Sequence, residues 1–236
     1  MIFVLVSGAW HGGWCWSRVA PLLRAAGHEV HTPTLTGVSD RAHLLGPHVG
    51  LDTHVEDVVR LLDAYDLTGV RLVGHSYGAQ VVSGVAERRP ERLALRVHLD
   101  GFLPDDGDAA IDLLPPEIAG HYRESVTTAG FGWLIPPRSL TTLGVTDEAD
   151  VAWLTPRLTP HPWAAYLDPV TAGAKAASVP GRYLNCTDWL AVFAPYAEKA
   201  RALGWDVRDI ATGHEAMVTA PGTLAELLMD DPAPAR

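Results

Sequence analysis

The sequence predicts an α/β fold in which a mainly parallel sheet of about six strands is flanked by helices. Three observations support this prediction. Short runs rich in β-branched residues alternate with segments of helical period, one such run leads directly into the motif GHSYG, and the alternation is interrupted only once, over residues 104–180. We therefore expect a single domain over residues 1–236, with an inserted helical cap at residues 104–180.

The predicted strands are short apolar runs that cover residues 2–6, 29–35, 70–73, 93–99, 182–186 and 206–210. The predicted helices cover residues 17–26, 53–65, 78–89, 193–203 and 224–229. Gly27 is expected to end the first helix, and Asp52 or Thr53 to cap the second, because their side-chain oxygens accept backbone N–H bonds. The terminal hexapeptide DPAPAR is expected to be frayed.

The segment 104–180 differs in composition from the rest of the chain. Prolines cluster in it, and Trp133, Trp153 and Trp163 are interleaved among them. Short helical periods occur here without long apolar strands, which favours a helical cap over additional sheet.

Charge and hydropathy exclude several classes of function. The 28 acidic residues outnumber the 18 basic ones, the net charge is −10 and no Lys/Arg run is present, so nucleic acid is not an expected partner. No segment reaches the ~18 consecutive apolar residues of a membrane span. The first residues lack the basic and apolar regions of a signal peptide, which favours a cytoplasmic location.

The two cysteines, Cys15 and Cys186, are too few for a disulfide framework or a four-ligand zinc site. No metal and no cofactor are expected. The sequence leaves the choice between a monomer and a homodimer open.

The stretch LVSGAWHGGWCW follows the first strand and combines three glycines with three tryptophans. It matches neither phosphate-binding pattern, because no Lys follows its second glycine and its glycines have the wrong intervals for G-x-G-x-x-G. It is therefore not a nucleotide loop, which leaves a tight packed turn or a loop that presents backbone N–H groups to an oxyanion.

The motif GHSYG fits a nucleophile elbow, G-x-S-x-G, in which a strained turn between a strand and a helix raises the serine. The predicted strand before it and helix after it supply that context, so Ser76 is the candidate nucleophile. A serine hydroxyl needs a base, and His214 in TGHEAM follows the last predicted strand, where such folds place it. His75 lies inside the elbow and is expected to point away from the reaction.

The motifs FVLVSGAWHGGWCWSRVAPLL, TPTLTGVSDRAHL, LVGHSYGAQVV, VHLDGFLP and TGHEAMVTAP resemble the α/β-hydrolases of the plant methylesterase and hydroxynitrile lyase-like group, and especially their bacterial esterase relatives. They span the chain in the family's order. The resemblance implies an α/β-hydrolase fold and a Ser-His-Asp triad acting on esters. The backbone N–H groups of Tyr77 and Ala9 would then hold the oxyanion.

The chain departs from that family at three positions. The lyases carry a threonine and a lysine where this sequence has Gly8 and Glu215, so the cationic helper of cyanide chemistry is absent. Family members usually have a histidine at the position of Ser7. We expect this last change to alter hydrogen bonding in the loop without inactivating the site.

Two aspartates are candidates for the acid of the triad. Asp188 follows the next-to-last strand, where the plant enzymes keep their acid, although the sequence around it differs from theirs. Asp100 ends the strand after the elbow helix, in a segment that also resembles haloalkane dehalogenases, whose acid lies there. Both positions can reach one imidazole from adjacent strand ends. Asp100 is preferred, and Asp188 would then line or support the site.

These observations predict a serine hydrolase that cleaves a carboxylic ester or lactone of an apolar or aromatic small molecule. The residues expected to line its substrate site are Gly8, His11, Phe102, Trp133 and Trp153, although His11 could instead bond within its own loop. Two alternatives are a non-hydrolytic reaction on the same fold (a lyase, a polyketide-type cyclase or a cofactor-free oxygenase) and a ligand-binding protein.

Overall fold

The computed structural model describes residues 1–231. The strands in this part of the chain are β1 (Ile2–Val6), β2 (Glu29–His31), β3 (Val70–His75), β4 (Leu93–Leu99), β5 (Leu134–Ile135), β6 (His161–Pro162), β7 (Gly181–Cys186) and β8 (Asp206–Ile210). The α-helices are α1 (Ala20–Ala25), α2 (Leu51–Ala64), α3 (Gly78–Arg88), α4 (Pro116–Thr128), α5 (Glu148–Leu154), α6 (Ala164–Leu167), α7 (Ala174–Ser178), α8 (Ala194–Ala202), α9 (Ala216–Thr219) and α10 (Pro221–Met229).

Within residues 1–231 the main sheet has six parallel strands in the order β2-β1-β3-β4-β7-β8. This confirms the predicted α/β fold and its strand number. The central strands are buried, and so are all six residues of β3. Continuous apolar runs are what parallel strands covered by helices require, and this explains why they could be recognised in the sequence.

The strand order creates a switch point between β1 and β3. After β1 the chain adds β2 on one side and then crosses back to place β3 on the other side. The loops that follow β1 and β3 therefore leave the sheet in different directions at the carboxyl ends of these strands, and open α/β sheets bind ligands at such switch points. The stretch after β1 and the motif GHSYG both lie at this switch point.

The described structure differs from the predicted elements most clearly at the end of β2 and at the start of α2. Strand β2 ends at His31, four residues early, because Pro33 cannot donate to the ladder. Helix α2 begins at Leu51 and is not capped by Asp52 or Thr53. Its first N–H is bound instead by Asp168, from a segment more than a hundred residues away, with Leu51 N 2.9 Å from Asp168 Oδ2.

Between β4 and β7 the chain forms α4 to α7 and a small antiparallel pair, β5 with β6. Sequence analysis predicted no strands here, and the pair of two-residue strands was too short to leave a periodic pattern. No helix within residues 1–231 is long and apolar enough to cross a membrane. Of the hexapeptide expected to fray, residues 232–236 lie outside the described part of the chain.

Candidate active site

Three neighbouring strands, β1, β3 and β4, end in turns that hold a residue with positive φ. These residues are Trp10 (φ 69°), Ser76 (φ 53°) and Asp100 (φ 42°). Residues other than glycine rarely adopt this backbone region. Each such conformation costs of order 1–3 kcal/mol and persists only where the surrounding structure holds it. The shared edge of the sheet therefore stores backbone strain at the positions where sequence analysis placed the nucleophile and one candidate acid.

The turn at Ser76 is compact because glycines surround it. A Cβ on Gly74 would lie 2.4 Å from the carbonyl oxygen of Gly78, and a Cβ on Gly8 would lie 2.9 Å from the Cβ of Ser76. The Ser76 N–H donates to the Leu99 carbonyl at 3.0 Å, which ties the turn to β4. Gly8 thus lets the loop after β1 approach the serine closely, and it contributes no side chain to the site.

The His214 imidazole is paired with Asp100. His214 Nδ1 lies 2.7 Å from Asp100 Oδ2, and both side chains are buried. The other oxygen of Asp100 accepts the N–H of Cys186 at 3.2 Å. The backbone N–H of His214 donates to Leu143, in the segment between β4 and β7, at 2.9 Å. Asp100 therefore holds the ring through Nδ1, and Leu143 holds the backbone of the same residue. Nε2 is left for another partner.

Asp188 is not brought to this imidazole. Its side chain is exposed, and its Oδ1 accepts the hydroxyl of the adjacent Thr187 at 2.9 Å. Its backbone N–H donates to Thr212 at 3.0 Å, so the residue joins the turn after β7 to the loop after β8. Asp188 therefore holds the shape of the His214 loop from outside, and its carboxylate faces solvent.

The backbone N–H groups of Ala9 and Tyr77 have no hydrogen-bond acceptor within residues 1–231. Tyr77 is the N-cap residue of α3, and its N–H is one of the unsatisfied donors that every helix start leaves. The carbonyl oxygen of Ala9 lies 2.7 Å from His11 Nδ1, and this contact holds Ala9 in place. The Ser7 hydroxyl donates to the His11 carbonyl at 3.1 Å. Ser7 thus supplies a hydrogen bond that closes the loop.

Aromatic rings surround the imidazole of His214. Trp189 lies 4.4 Å from it between ring centroids, Phe193 is stacked on it at 5.4 Å, and His75 lies at 4.4 Å. Burial, helped by the neighbouring His214 and His11, holds the pKa of His75 well below its usual value. Since the His214 carbonyl can only accept, the neutral His75 ring donates its Nε2–H there at 3.0 Å. The prediction that His75 points away is wrong: its ring lies beside that of His214, the candidate base.

The remaining predicted substrate residues lie in different surroundings. His11 is buried in its own loop, and Phe102 packs edge-on against Phe193 at 5.1 Å, one layer behind the imidazole. Trp153 contacts Trp14 at 5.2 Å with two arginines over its ring, and Trp133 is half-buried beside the β5–β6 pair. The described contacts bring neither of these tryptophans to Ser76.

Sequence analysis missed two residues beside the candidate base His214, namely Trp189 and Phe193. They lie in the segment DWLAVFAP, which begins at Asp188, where the sequence differs from that of the plant enzymes. Large apolar residues directly after a candidate acid position were a signal that this segment packs against the site.

Only one group of residues within the described part of the chain has a geometry that would suit a metal ion. His75, His214 and Glu215 bring ligand atoms within 4.8 Å of one another. His75 already donates to the His214 carbonyl, and His214 is paired with Asp100. The expectation that the protein needs no metal stays a prediction.

A parallel sheet in this order, with a strained G-x-S-x-G turn between its third strand along the chain and the following helix, defines an α/β hydrolase. Residues 3–227 match the model of the alpha/beta hydrolase family, and the chain belongs to that family.

Two curated proteins illustrate its relationships. The chain is 40% identical over 240 residues to a carbendazim hydrolyzing esterase from Nocardioides sp. (strain SG-4G), covering 96% of this chain and 97% of that protein. It is 36% identical over 105 residues to methylesterase 1 of Arabidopsis thaliana, covering 44% of this chain and 40% of the plant protein. These matches confirm the resemblance to bacterial esterases and plant methylesterases.

Solved structures agree with this assignment. An extracellular alpha/beta-hydrolase from a Paenibacillus species, which shares structural and functional homology with tobacco salicylic acid binding protein 2, superposes with a TM-score of 0.86 at 25% identity over 97% of each chain. A pyrethroid hydrolase, PytH, superposes with a TM-score of 0.72 at 21% identity, over 97% of this chain and 95% of that one, which shows the fold alone. The esterase relatives show that the chain is a carboxylic ester hydrolase.

Proposed function

We propose that the protein hydrolyses a carboxylic ester or lactone of an apolar or aromatic small molecule through an acyl-enzyme on Ser76, with His214 as base and Asp100 as acid. The observation that carries this proposal is the buried contact between Asp100 and His214, 2.7 Å long, at the strand end next to the strained Ser76 turn. Asp188 has no comparable contact, and its carboxylate is exposed.

The proposed first step is attack by Ser76 Oγ on the ester carbonyl while His214 Nε2 takes its proton. In residues 1–231 the Ser76 hydroxyl makes no hydrogen bond, so the Ser76–His214 bond would form when substrate binds, as catalytic hydrogen bonds often do. Asp100 keeps Nδ1 protonated, which leaves Nε2 as the basic nitrogen, and it stabilises the imidazolium that forms.

The developing oxyanion would be bound by the N–H groups of Ala9 and Tyr77, which have no partner in the described structure. One such donor is worth ~3 kcal/mol of transition-state stabilisation. His214 then gives its proton to the leaving alcohol. In the second half-reaction it activates a water molecule, which releases the carboxylic acid and restores Ser76.

The apolar or aromatic character of the substrate is supported by the surroundings of the base. The rings of Trp189 and Phe193 flank the imidazole within 5.4 Å, and they offer a low-dielectric, flat surface beside the reacting carbonyl. The relatives named for carbendazim and methyl ester hydrolysis act on small molecules as well. We propose no nucleic-acid or membrane partner for this activity, and a cytoplasmic location stays a prediction.

A panel of substrates tests the proposal. We expect hydrolysis of p-nitrophenyl acetate, of methyl esters of aromatic acids and of carbendazim to be measurable, with aromatic esters preferred over equally sized aliphatic ones. Ser76→Ala should reduce turnover by at least ~10³-fold, because the nucleophile is lost. Full activity in Ser76→Ala would contradict the acyl-enzyme, and the absence of any ester hydrolysis would favour a repurposed or ligand-binding site.

A further inference from the structure

Glu215 and His11 form a buried pair that the proposed mechanism does not use. Glu215 directly follows the base His214, whereas His11 lies in the loop after β1, and each side chain is only 1% exposed. Glu215 Oε2 lies 3.5 Å from His11 Nε2, and neither atom has a hydrogen-bond partner in residues 1–231. The pair spans the two loops that carry the base and the candidate oxyanion donor.

The protons of this pair follow from its other contacts. His11 Nδ1 lies 2.7 Å from the carbonyl oxygen of Ala9, and a carbonyl can only accept, so Nδ1 carries a proton. If the ring were neutral, Nε2 would present a lone pair to the Glu215 carboxylate. Two acceptors would then face each other in a buried space, which is unfavourable. One additional proton between Nε2 and Oε2 removes this conflict.

We propose that His11 is an imidazolium held by the Glu215 carboxylate, and that Glu215 is a positioning residue for the oxyanion loop. Imidazole is the stronger base of the two groups and its Nε2 faces the carboxylate, so the proton is assigned to the ring. The pair as a whole is neutral. It clamps His11 against the Ala9 carbonyl and thereby fixes the loop that carries the Ala9 N–H, the candidate oxyanion donor.

The groups around the pair are consistent with this assignment. His75 lies 6.4 Å from His11 between ring centroids, and its pKa is held well below the usual value by burial and by neighbours that include His11. Burial and the nearby Glu215 raise the pKa of the Cys15 thiol, and burial, Asp100 and Glu215 raise that of Cys186. His75 and both cysteines therefore stay neutral. His214, whose ring also lies near Glu215, is paired with Asp100, which leaves His11 to balance Glu215.

The pairing has a consequence for catalysis that rests on the proposed function. A carboxylate left alone beside the oxyanion loop would repel the negative charge that develops in the transition state. His11 cancels this charge. Removal of His11 alone should therefore lower kcat more than removal of His11 and Glu215 together. A purely structural role for either residue would not produce this order of effects.

Kinetics of three variants test this order. His11→Asn keeps a donor in the position of Nδ1 but cannot reach Glu215, and we expect kcat to fall about 30-fold with KM changed less than about threefold. Glu215→Gln, which can donate to a neutral His11, should stay within about threefold of the parent protein. The double variant His11→Asn/Glu215→Gln should regain at least about tenfold in kcat over His11→Asn. Equal or additive losses in the double variant would overturn the proposal.

Imidazole ¹H–¹⁵N spectra of the full chain at pH 7 test the proton itself without any substrate. Both ring nitrogens of His11, assigned by the signals lost in His11→Asn, should be protonated in the parent protein, and only Nδ1 in Glu215→Gln. A His11 ring protonated on Nδ1 alone in the parent protein would overturn the proposal. Failure of the proposed esterase mechanism would instead show as a parent protein without turnover, whatever these spectra show.

Discussion

At the residue scale, the acid of the proposed triad is the position for which spacing alone allows two residues. Asp100 and Asp188 both follow strands that end at the same edge of the sheet. What separates them is side-chain direction: Asp100 adopts a positive φ of 42° that turns it under the imidazole, whereas Asp188 is exposed. A backbone conformation of this kind leaves no trace in a hydrophobic pattern, so spacing predicted both candidates, and only the resemblance to haloalkane dehalogenases favoured Asp100.

Conversion of each aspartate to asparagine tests this choice. Asp100→Asn should reduce kcat by ~10⁴-fold, because an amide can donate to Nδ1 and so leave Nε2 with the wrong proton. Asp188→Asn, the matched control, should retain activity within about threefold, since the geometry of its turn depends on its backbone N–H. The measurement is steady-state hydrolysis of p-nitrophenyl acetate. Loss of activity in Asp188→Asn alone would reverse the assignment.

At the scale of elements, the loop after β1 is held by bonds to distant segments. Trp10 Nε1 donates to the Ile135 carbonyl at 3.1 Å, Trp14 Nε1 donates to the Ser39 hydroxyl at 2.8 Å, and Trp16 is fully buried. Sequence analysis predicted that such a loop follows the first strand, from its glycines and tryptophans. The partners of those tryptophans are non-local, and local patterns contain no information about them.

The start of α2 shows the same division between local and tertiary information. The segment 104–180 supplies its cap through Asp168, whose Oδ2 would also clash with any Cβ on Gly50. The helix itself was predicted from its apolar period, but its cap was assigned to the nearest polar residues, Asp52 and Thr53. A long-range cap competes with local ones only after the fold has formed.

Removal of this cap tests its contribution. Asp168→Ala should lower the free energy of unfolding by about 1 kcal/mol, the usual cost of a lost N-cap acceptor. Asp52→Ala, the control, should change it by less than about 0.5 kcal/mol, because Asp52 is exposed. Urea denaturation followed by circular dichroism gives both values. An equal or larger effect of Asp52→Ala would show that the local cap prevails in solution.

At the scale of the whole molecule, buried histidines link stability to pH. Burial lowers the pKa of His54 to about 4, and burial together with Arg96 lowers that of His98 to about 3. In the unfolded chain both groups titrate near their ordinary pKa of about 6.5. The unfolded state therefore binds more protons below pH 6.5. The contribution of these groups is fully present above that pH and is lost as the pH falls towards 4 and then 3.

We therefore expect acidification from pH 7 to pH 5 to destabilise the protein by about 1–2 kcal/mol for each such histidine. His98→Asn keeps a donor for the Phe102 carbonyl, which His98 Nδ1 binds at 2.7 Å, and should lose less stability over this interval. Exposed His43→Asn is the matched control and should follow the parent protein. Thermal melting at both pH values is the measurement. A loss of stability between pH 7 and pH 5 that is the same in His98→Asn as in the parent protein would contradict the account.

The sheet and the order of its strands' sequence runs could be predicted from the sequence, whereas many contacts of the candidate site could not. Strand runs, the elbow motif and the family resemblance predicted the six-stranded sheet, because parallel strands buried on both sides are largely apolar. The segment at Trp189 and Phe193, and the contact of Glu215 with His11, arise only when separate loops meet at the strand ends. Such contacts depend on tertiary structure and have no periodic signature.

The measurement that tests the central claim most directly is covalent labelling with a fluorophosphonate, followed by mass spectrometry of the intact chain and of its peptides. A nucleophile raised by the strained turn and activated by His214 predicts one adduct per chain on the peptide containing Ser76, with little labelling of His214→Ala and none of Ser76→Ala. A parent protein that hydrolyses esters yet stays unlabelled at Ser76, or carries the adduct on another residue, would contradict the account.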